Sequence, residues 1–482
     1  MINQKNKLSL RRLGLIPLVG ILSACAFWPV PSANVKLIYE EAAQYHQPDR
    51  NPIIVIPGIL GSRLIDEESG DVVWGAFEAP YANPNSPRGA RLVSLPFDED
   101  GLLNADSSTI QPNGVLERLR LSLLGVPINI QAYAGILSSL GAGGYRDESL
   151  STVIDYGSDH FTCFQFDYDW RRSSAENAAR LKEFIEERRA YVREEYYRRY
   201  GIDNEDIKFD IVAHSMGGLV SRYFARYGDQ ALPEDGSLPE LTWEGAEYVE
   251  RIIMVGTPNA GALESFEQLI DGFNVGGPLI PKYGAHILGT FPSIYELLPR
   301  PRHKRIIWEG DNKTPIDNLY DPQLWESYEW GLAAQDKATQ KFLETRLPHI
   351  KSAEERHQVA KNLQRDLLEN SAAFHRALDY PATPPEGFDL ILVAGDAIKT
   401  PSEITINRET GDVDISDYGP GDKTVLRASA LFDERVGAEW QPNLQSPIAW
   451  DNILFLSSNH RNITQDPAFT DNVLYWLLED PR

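Results

Sequence analysis

The chain has 482 residues, 42% of them hydrophobic, and a formal net charge of −24. This length exceeds what one hydrophobic core usually organises, so we expect a large domain with insertions, or two domains. The acidic balance argues against the basic surface that nucleic-acid binding requires, and against long-range attraction to anionic lipid surfaces.

The N-terminus has the pattern of an export signal. Several basic residues precede an apolar stretch at 13–24, which is too short to span a bilayer comfortably. That stretch leads into LSAC (22–25), which resembles the lipobox of bacterial lipoproteins, in which the cysteine is lipidated after cleavage. We therefore expect a lipoprotein signal peptide at 1–24, lipid attachment at Cys25, and a tether and lead-in at 25–50. A soluble secreted protein with an ordinary cleavage site, or an uncleaved anchor, is the alternative.

The residue after the cysteine bears on the destination of the chain. It is Ala26 and not an aspartate. Under the sorting rule of enterobacterial lipoproteins, this residue directs a lipoprotein to the outer membrane. We therefore expect an exported bacterial lipoprotein, anchored in the outer membrane and facing the periplasm or the cell surface.

A buried strand is predicted after the lead-in. The stretch 52–62 opens with an apolar β-branched run, and a Pro-Gly pair then ends the strand. A glycine-bearing loop after an early strand is where an α/β-hydrolase places half of its oxyanion hole. We expect the backbone N–H of Ile59 to be one donor and that of Met216 to be the other. A strand that simply ends in a turn is the alternative interpretation.

The next part of the chain, 63–130, is predicted to be irregular, because Gly, Pro, Asn and Asp recur through it. A helix is predicted over 133–140, a second strand over 160–167, and a long helix over 175–199 with apolar residues at helical spacing. Cys163 lies in the second strand and is expected to be a buried core thiol. If Cys25 carries lipid, no internal disulfide is possible.

The stretch around which the chain is organised is FDIVAHSMGGLV (209–220). A strand pattern runs into a small-x-Ser-x-Gly turn, and a helical pattern follows over 219–227. This order is typical of a nucleophile elbow, the tight turn that exposes a serine Oγ above an α/β-hydrolase sheet. Two glycines on one side provide the small neighbours that the turn needs, and Ala213 stands where glycine is commonest. The pattern predicts Ser215 as a nucleophile.

Strands and helices continue to alternate up to a strand predicted over 249–256, which favours a mostly parallel sheet. We therefore expect an α/β-hydrolase fold, with inserted cap segments. Its first core part is predicted at 51–261, including an excursion over the sheet at 63–130.

The stretch 262–385 interrupts this alternation with prolines, aromatic residues and a charged helical part. We interpret it as an inserted cap over an acyl-chain pocket; an ordinary packed helical insert is the alternative. The second core part is predicted at 386–482. It contains predicted strands at 388–394 and 453–456, a hairpin at 405–416 and a closing helix at 468–478.

An α/β-hydrolase orders its triad as serine, then acid, then histidine. Among nine histidines, only His460 lies after the last predicted strand, where this fold delivers the base. His214 adjoins the serine but belongs to the tight turn, and we take it as structural. Two aspartates satisfy the order: Asp396 directly follows the strand at 388–394, and Asp422 lies past the hairpin. Chain order and local turn chemistry leave both open.

Four blocks of the chain together resemble the lecithin:cholesterol acyltransferase family, namely VIPGILGS (55–62), YDWR (168–171), AHSMGG (213–218) and GDKTV (421–425). That family includes lysosomal phospholipases and phospholipid:diacylglycerol acyltransferases. The resemblance implies an α/β-hydrolase with Ser215, Asp422 and His460 as its triad and with Ile59 and Met216 as oxyanion donors. It also implies cleavage of a phospholipid acyl ester through an acyl-serine, followed by transfer of the acyl group to water or to an alcohol.

The expected function is therefore hydrolysis or O-acyl transfer on a lipid acyl ester, with no metal and no organic cofactor. The expected partners are the lipid ester, a water or alcohol acceptor, and the membrane through the lipidated N-terminus. A triacylglycerol lipase or a general carboxylesterase on the same fold is the first alternative. The second is a lipoprotein that keeps this fold as a binding module without chemistry, which the intact triad pattern disfavours.

Overall fold

The computed structural model describes residues 38–75, 81–98, 100–116, 118–123, 126–131, 133–157, 159–204, 206–274, 281–310 and 312–481, with the backbone alone for the strands between 118 and 131. The expected signal peptide and Cys25 lie outside these residues. None of the helices in the described ranges is both long enough and apolar enough to cross a bilayer.

The strands, in chain order, are β1 (Ile53–Ile56), β2 (Ser62–Asp66), β3 (Val72–Trp74), β4 (Ile110–Val115), β5 (Arg118–Leu123), β6 (Val126–Gln131), β7 (Cys163–Gln165), β8 (Phe209–His214), β9 (Val249–Val255), β10 (Phe273–Asn274), β11 (Lys282–Tyr283), β12 (Ile306–Trp308), β13 (Asp389–Gly395), β14 (Ile398–Ile406), β15 (Val413–Gly421) and β16 (Asn452–Leu456).

The α-helices are α1 (Glu40–Gln44), α2 (Pro87–Val93), α3 (Ala134–Ala142), α4 (Ser174–Tyr200), α5 (Gly217–Tyr227), α6 (Leu263–Asp271), α7 (Ala285–Leu288), α8 (Pro292–Glu296), α9 (Pro322–Ser327), α10 (Lys337–Arg346), α11 (Ala353–Asp379), α12 (Arg427–Leu431) and α13 (Pro467–Leu478).

A parallel sheet forms the centre of the fold, in the order β16-β13-β9-β8-β1-β7. Every residue of β1 and β8 is buried, as expected for a parallel sheet that is covered on both faces. Alternate side chains of β1 face opposite layers: Ile53 and Val55 pack in a cluster with residues of α3 and α13, whereas Ile54 and Ile56 pack with residues of α4 and α5. Because all six strands are parallel, their carboxyl ends meet at one edge of the sheet.

The long helix α4 shows how local sequence sets an element. It begins after a capping box, in which Ser173 and Glu176 satisfy each other's backbone N–H groups, and it ends at Gly201, which has φ of +68°. The predicted helix at 175–199 therefore agrees with the structure to within one residue at each end. β7 is shorter than the predicted strand at 160–167 and contains Cys163, which is buried and free.

The prediction that 63–130 is irregular is wrong. The stretch contributes α2 and an antiparallel sheet in the order β3-β2-β4, and it holds β5 and most of β6, which pair as a hairpin. Prolines and glycines hide these strands in the sequence. β4 contains Pro112 and Gly114, and it tolerates the proline because it lies at the edge of its sheet.

The stretch predicted as a cap, 262–385, contains α6 to α11 and the short strands β10, β11 and β12. β12 pairs in parallel with β14, which belongs to the second predicted core part. Residues Val35–Arg482 form one compact unit, so the stretch is packed into the body of the protein. The hairpin predicted at 405–416 is present and longer, because β14 and β15 pair from Ile398 to Gly421.

Candidate active site

The turn between β8 and α5 presents Ser215 in an uncommon conformation. Only two residues separate the strand from the helix. Ser215 has φ of +54°, in the left-handed region that side chains rarely adopt, and its N–H donates to the carbonyl oxygen of Val255 in β9 at 2.8 Å. A Cβ at Gly218 would lie 2.1 Å from Oγ1 of Thr257, so the turn needs glycine there. This is the geometry of a nucleophile elbow.

Ser215, His460 and Asp422 lie in one line of hydrogen bonds. Nε2 of His460 is 3.0 Å from Oγ of Ser215, and Nδ1 of the same ring is 2.7 Å from Oδ2 of Asp422. Oδ1 of Asp422 accepts from the N–H groups of Thr424 at 3.0 Å and Val425 at 2.6 Å. Ser215 is 7% exposed and Asp422 is 1% exposed. The line is therefore shielded from bulk water and is more open at the serine end.

Asp396, the other aspartate left open by the sequence, does not join this line. It directly follows β13, but its carboxylate forms no hydrogen bond with any described residue. Asp422 occupies the end of β13 instead, since a Cβ at Gly395 would lie 2.5 Å from Cβ of Asp422. The hairpin of β14 and β15 leads the chain away from this point and returns it, and Ile398 forms a bridge with Asp422.

Burial and charge together set the protonation of the line. Burial would raise the pKa of Asp422, but the charge and the hydrogen bond of His460, with the two backbone N–H groups, lower it below its usual value. Burial would lower the pKa of His460, but the charge and the hydrogen bond of Asp422 raise it above its usual value. Asp422 is thus an anion that accepts a hydrogen bond from Nδ1–H of the imidazole, and Nε2 is left as an acceptor that faces Oγ of Ser215.

The loop after β1 touches the serine. A Cβ at Gly58 would lie 2.6 Å from Cβ of Ser215, so only glycine allows this approach. The predicted oxyanion donors are close by, because Ile59 lines the same cavity as Ser215 and Met216 directly follows it. Within the described ranges, the backbone N–H groups of Ile59 and Met216 have no hydrogen-bond acceptor. Both groups are therefore free to bind an anionic oxygen.

The YDWR block at 168–171 supports this loop. The hydroxyl of Tyr168 donates to the carbonyl oxygen of Pro57 at 2.8 Å. Arg171 and Asp169 form a buried ion pair at 2.7 Å, and Arg171 also donates to the carbonyl oxygens of the last two residues of α2. The block thus ties the loop after β1 and the excursion to the core, and none of its side chains takes part in the hydrogen-bonded line at Ser215.

An apolar cavity of about 240 Å³ opens beside Ser215. Its walls come from the core, from the excursion after β1 and from the stretch 262–385. The apolar side chains that line it include Trp74, Leu116, Leu288, Phe291, Ile294 and Leu297.

A second, polar cavity of about 570 Å³ meets the first at His460. Apart from Asp422, its charged side chains have no ion-pair or hydrogen-bond partner within the described parts of the chain, and burial raises the pKa of Glu264 and Glu267. The acids come from α6 and the bases directly follow Asp422 and His460. These side chains are Glu264, Glu267, Asp271, Lys423 and Arg461.

Tyr133 is a residue of this site that the sequence did not reveal. Its hydroxyl lies 2.8 Å from N of Gly58 and 3.1 Å from Nδ1 of His214. Nε2 of His214 lies 3.0 Å from the carbonyl oxygen of His460. Both ring nitrogens of His214 thus have partners other than Ser215. Tyr133 opens an ordinary amphipathic helix pattern, and no sequence signal sets it apart.

Two of the four blocks, at 168–171 and 213–218, lie in a stretch that matches a known family. Residues 152–377 match the family model of lecithin:cholesterol acyltransferase. This stretch contains Ser215, and it ends before Asp422 and His460. The protein "Lecithin-cholesterol acyltransferase-like 4" of Arabidopsis thaliana is 26% identical over 297 residues, which cover 58% of this chain and 48% of that protein. The chain thus spans about half the length of the curated relative that it matches.

Among solved structures, the chain is similar to one in "The crystal structure of Tle4-Tli4 complex", with a TM-score of 0.55 and 14% identity over 89% of this chain and 98% of that one. A lipase of Staphylococcus hyicus matches at a TM-score of 0.31 and 12% identity over 90% and 97% of the two chains, a score too low to support an argument. The first likeness, the parallel sheet and the elbow together confirm the α/β-hydrolase fold. The family match and the motif blocks together show that the chain is similar to the lecithin:cholesterol acyltransferase family.

Proposed function

We propose that this chain is a serine-dependent lipid acyl-ester hydrolase or O-acyltransferase that acts through an acyl-serine. The observation that carries the proposal is the hydrogen-bonded line of Ser215, His460 and Asp422 at the wall of an apolar cavity. Such a line activates a serine hydroxyl, and apolar walls suit an acyl chain. Similarity to the lecithin:cholesterol acyltransferase family supports the same class of reaction.

In the first half of the reaction, Oγ of Ser215 attacks the ester carbonyl while Nε2 of His460 takes its proton. Asp422 stays ionised and stabilises the imidazolium, whose Nδ1–H it holds. The N–H groups of Ile59 and Met216 bind the oxyanion, and each such donor typically lowers the barrier by about 3 kcal/mol. The intermediate collapses, His460 protonates the leaving oxygen, and the alcohol departs.

In the second half, water or another alcohol attacks the acyl-serine. His460 takes the proton of the incoming hydroxyl, the same oxyanion donors act again, and the free acid or a new ester is released. The incoming hydroxyl must reach Nε2 of His460 from the side that the first alcohol left. The residues of this chain supply every proton transfer in the two halves.

The two cavities suggest how a phospholipid would lie. The acyl chain would occupy the apolar cavity beside the serine, and the alcohol part of the ester would face the polar cavity that meets it at His460. The acidic and basic side chains without partners in that second cavity favour the charged head group of a phospholipid. They disfavour a triacylglycerol, which carries an apolar third acyl chain in place of the head group. We therefore propose phospholipid acyl esters as the substrate class.

The experiment that tests the function compares Ser215→Ala with Ser371→Ala. Ser371 is a matched control, since it is buried on α11 and its hydroxyl donates to the carbonyl oxygen of Tyr295 at 2.6 Å. We expect Ser215→Ala to lower kcat on phospholipid vesicles by about 10⁴- to 10⁶-fold with folding unchanged, and Ser371→Ala to stay within about threefold of wild type. Turnover by Ser215→Ala within tenfold of wild type would remove Ser215 as the nucleophile.

Product analysis separates the alternatives. Mixed phospholipids, a triacylglycerol emulsion and a soluble short-chain ester are supplied in turn, with and without a sterol or another alcohol. Release of lysophospholipid together with free fatty acid identifies a phospholipase, and release of lysophospholipid together with a new ester of the added alcohol identifies a transferase. Faster turnover of triacylglycerol or of the short ester would favour a lipase or a general esterase. Failure of a fluorophosphonate probe to label Ser215 would favour a binding module without chemistry.

We also propose that the chain is an exported bacterial lipoprotein, anchored through Cys25 in the outer membrane and facing the periplasm or the cell surface. The lipobox-like LSAC at 22–25 and the alanine that follows it support this location. Membrane anchoring would bring the two cavities close to their lipid substrate. Separation of inner and outer membranes, followed by detection of the protein in each fraction, tests the proposal.

A further inference from the structure

A line of hydrogen bonds links the loop after β1 to the main chain of His460. The N–H of Gly58 donates to the hydroxyl oxygen of Tyr133 at 2.8 Å. That hydroxyl lies 3.1 Å from Nδ1 of His214, and Nε2 of His214 lies 3.0 Å from the carbonyl oxygen of His460. A carbonyl oxygen can only accept, so Nε2 of His214 carries the proton and Nδ1 accepts from Tyr133. Each donor in the line therefore points in one fixed direction.

This second line of hydrogen bonds, through Tyr133 and His214, is buried, and the two rings are in contact. Tyr133 and His214 are both buried, and their rings pack edge to face with centroids 5.5 Å apart. The ring of His214 also lies 4.8 Å from that of His460. Burial and the charge that His460 can carry lower the pKa of His214 to about 3. His214 thus remains neutral at neutral pH and carries one proton, which the carbonyl oxygen of His460 holds on Nε2.

We propose that Tyr133 and His214 are positioning residues that hold the oxyanion loop and the main chain of His460 in one fixed arrangement around Ser215. The inference rests on the proposed function, because Ile59, which follows Gly58, is a donor to the oxyanion and His460 is the base in that mechanism. These two parts of the site follow β1 and β16, which are far apart in the chain. The line ties them together directly, without passing through Ser215.

Acyl transfer needs the oxyanion donors and the base in place at the same moment. Misplacement by about 1 Å can cost about 10²-fold in rate. Tyr133→Phe would keep the ring but would remove the acceptor of the Gly58 N–H and the donor to His214. A buried N–H without an acceptor drives the loop to move or to admit water. The loss would fall on the transition state, because the ester itself is held by the apolar cavity.

The first test compares Tyr133→Phe with Tyr227→Phe in the full chain. Tyr227 is a matched control, since it is also buried and its hydroxyl donates to the carbonyl oxygen of Ala377 at 2.7 Å, at the far end of α5. We expect Tyr133→Phe to lower kcat by about 10- to 100-fold and to change KM by less than about threefold. Tyr227→Phe should change neither constant by more than about threefold, even if it lowers thermal stability.

Inhibitor binding distinguishes positioning from a merely structural role. An alkyl boronic acid adds to the serine oxygen and presents an oxygen to the oxyanion donors, so its affinity should fall with kcat in Tyr133→Phe. A non-reactive ether analogue of the ester occupies the apolar cavity without reacting, so its affinity should remain within about threefold of wild type.

His214→Gln tests the other end of the line, and it also serves if Tyr133→Phe does not fold. The glutamine amide can still donate to the carbonyl oxygen of His460, but it offers Tyr133 no acceptor where Nδ1 stood. We expect the same selective loss of kcat and of boronic acid affinity. The double variant with Tyr133→Phe should lose less than about threefold more, because both changes break one link.

Three results would overturn the proposal: equal losses in Tyr133→Phe and Tyr227→Phe, equal weakening of the boronic acid and the ether analogue, or fully additive losses in the double variant. Labelling by a fluorophosphonate probe separates this failure from failure of the proposed function. If the wild-type chain is not labelled at Ser215, the proposed function fails. If it is labelled and Tyr133→Phe reacts at the wild-type rate, only the positioning role fails.

Discussion

Replacing Asp422 by asparagine should leave the shape of the site intact and reverse the polarity of its hydrogen bonds. In the native site, Oδ1 of Asp422 accepts from the N–H groups of Thr424 and Val425, and Oδ2 faces Nδ1 of His460 at 2.7 Å. Two donors at the Oδ1 position oblige the asparagine to place its oxygen there. Its NH₂ group must then face Nδ1 of His460, which has to accept. The imidazole proton moves to Nε2, where it faces Oγ of Ser215 at 3.0 Å.

A histidine in this tautomer cannot take the proton of Ser215. The same tautomer change in the serine proteases lowers kcat by about 10⁴-fold, which corresponds to about 5.5 kcal/mol of activation free energy. Because Asp422 is almost fully buried, water cannot easily replace its carboxylate as a partner of Nδ1. We therefore expect a loss of at least about 10²-fold for Asp422→Asn, and as much as about 10⁴-fold.

The assay is steady-state release of fatty acid from phospholipid vesicles, with circular dichroism and thermal unfolding as checks of the fold. Asp396→Asn is the matched control, because Asp396 follows β13 and its carboxylate has no hydrogen-bond partner among the described residues. We expect that variant to lose less than about tenfold. The reverse ranking would transfer the acid role to Asp396 and refute the reasoning from the two backbone N–H groups.

Four further measurements probe other parts of the structure. Because His460 must be neutral to act as a base and its pKa is raised above 6.5, kcat/KM should fall as the pH drops through that raised pKa, and an acid limb below 6.5 would contradict this. Gly58→Ala should lower kcat by at least about 10²-fold in a folded protein, since its Cβ would meet Ser215 at 2.6 Å; near-normal activity would show that the loop can retreat without cost. Arg171→Met should lower the free energy of unfolding, measured by denaturant titration, by about 3–5 kcal/mol because the buried carboxylate of Asp169 loses its closest charged partner and keeps only Arg172 at 3.8 Å; a loss under about 1 kcal/mol would refute that explanation. Cys25→Ser should leave the protein unlipidated and reduce its partitioning into a detergent phase; unchanged partitioning with the signal removed would place the anchor elsewhere.

The central strands could be predicted because their signals are local. β1, β8, β9 and β13 are continuous apolar runs bounded by turn residues, and each was predicted within about two residues of its observed span. The elbow was predictable for the same reason, since strand, small-x-Ser-x-Gly turn and helix are adjacent in the chain. His460 could be predicted as the base from the order of residues in the chain, because only one histidine comes after the last predicted strand.

The excursion after β1 could not be predicted in the same way, because its strands are defined by their partners. β2 alternates buried and partly exposed residues, which is a strand pattern, but its neighbours β3 and β4 are short or contain Pro112 and Gly114. Only the pairing of Pro112 with Leu64 in an edge position makes that proline acceptable. Trp74 and Leu116, which line the apolar cavity, belong to this part of the chain. The walls of the cavity could therefore be predicted from the sequence less well than Ser215.

The choice between Asp396 and Asp422 shows where local reasoning stops. Both follow a glycine, and both stand between the serine and the histidine in the chain. What separates them is the length and register of the hairpin formed by β14 and β15, which returns Gly421 opposite Ile398 and so sets the next residue, Asp422, against the end of β13. A residue lost or gained within that hairpin would shift its register and move Asp422 away from His460. The place of Asp422 beside His460 is thus fixed by a strand pairing that neither aspartate encodes, and the proposed reaction depends on the pairing of β14 with β15.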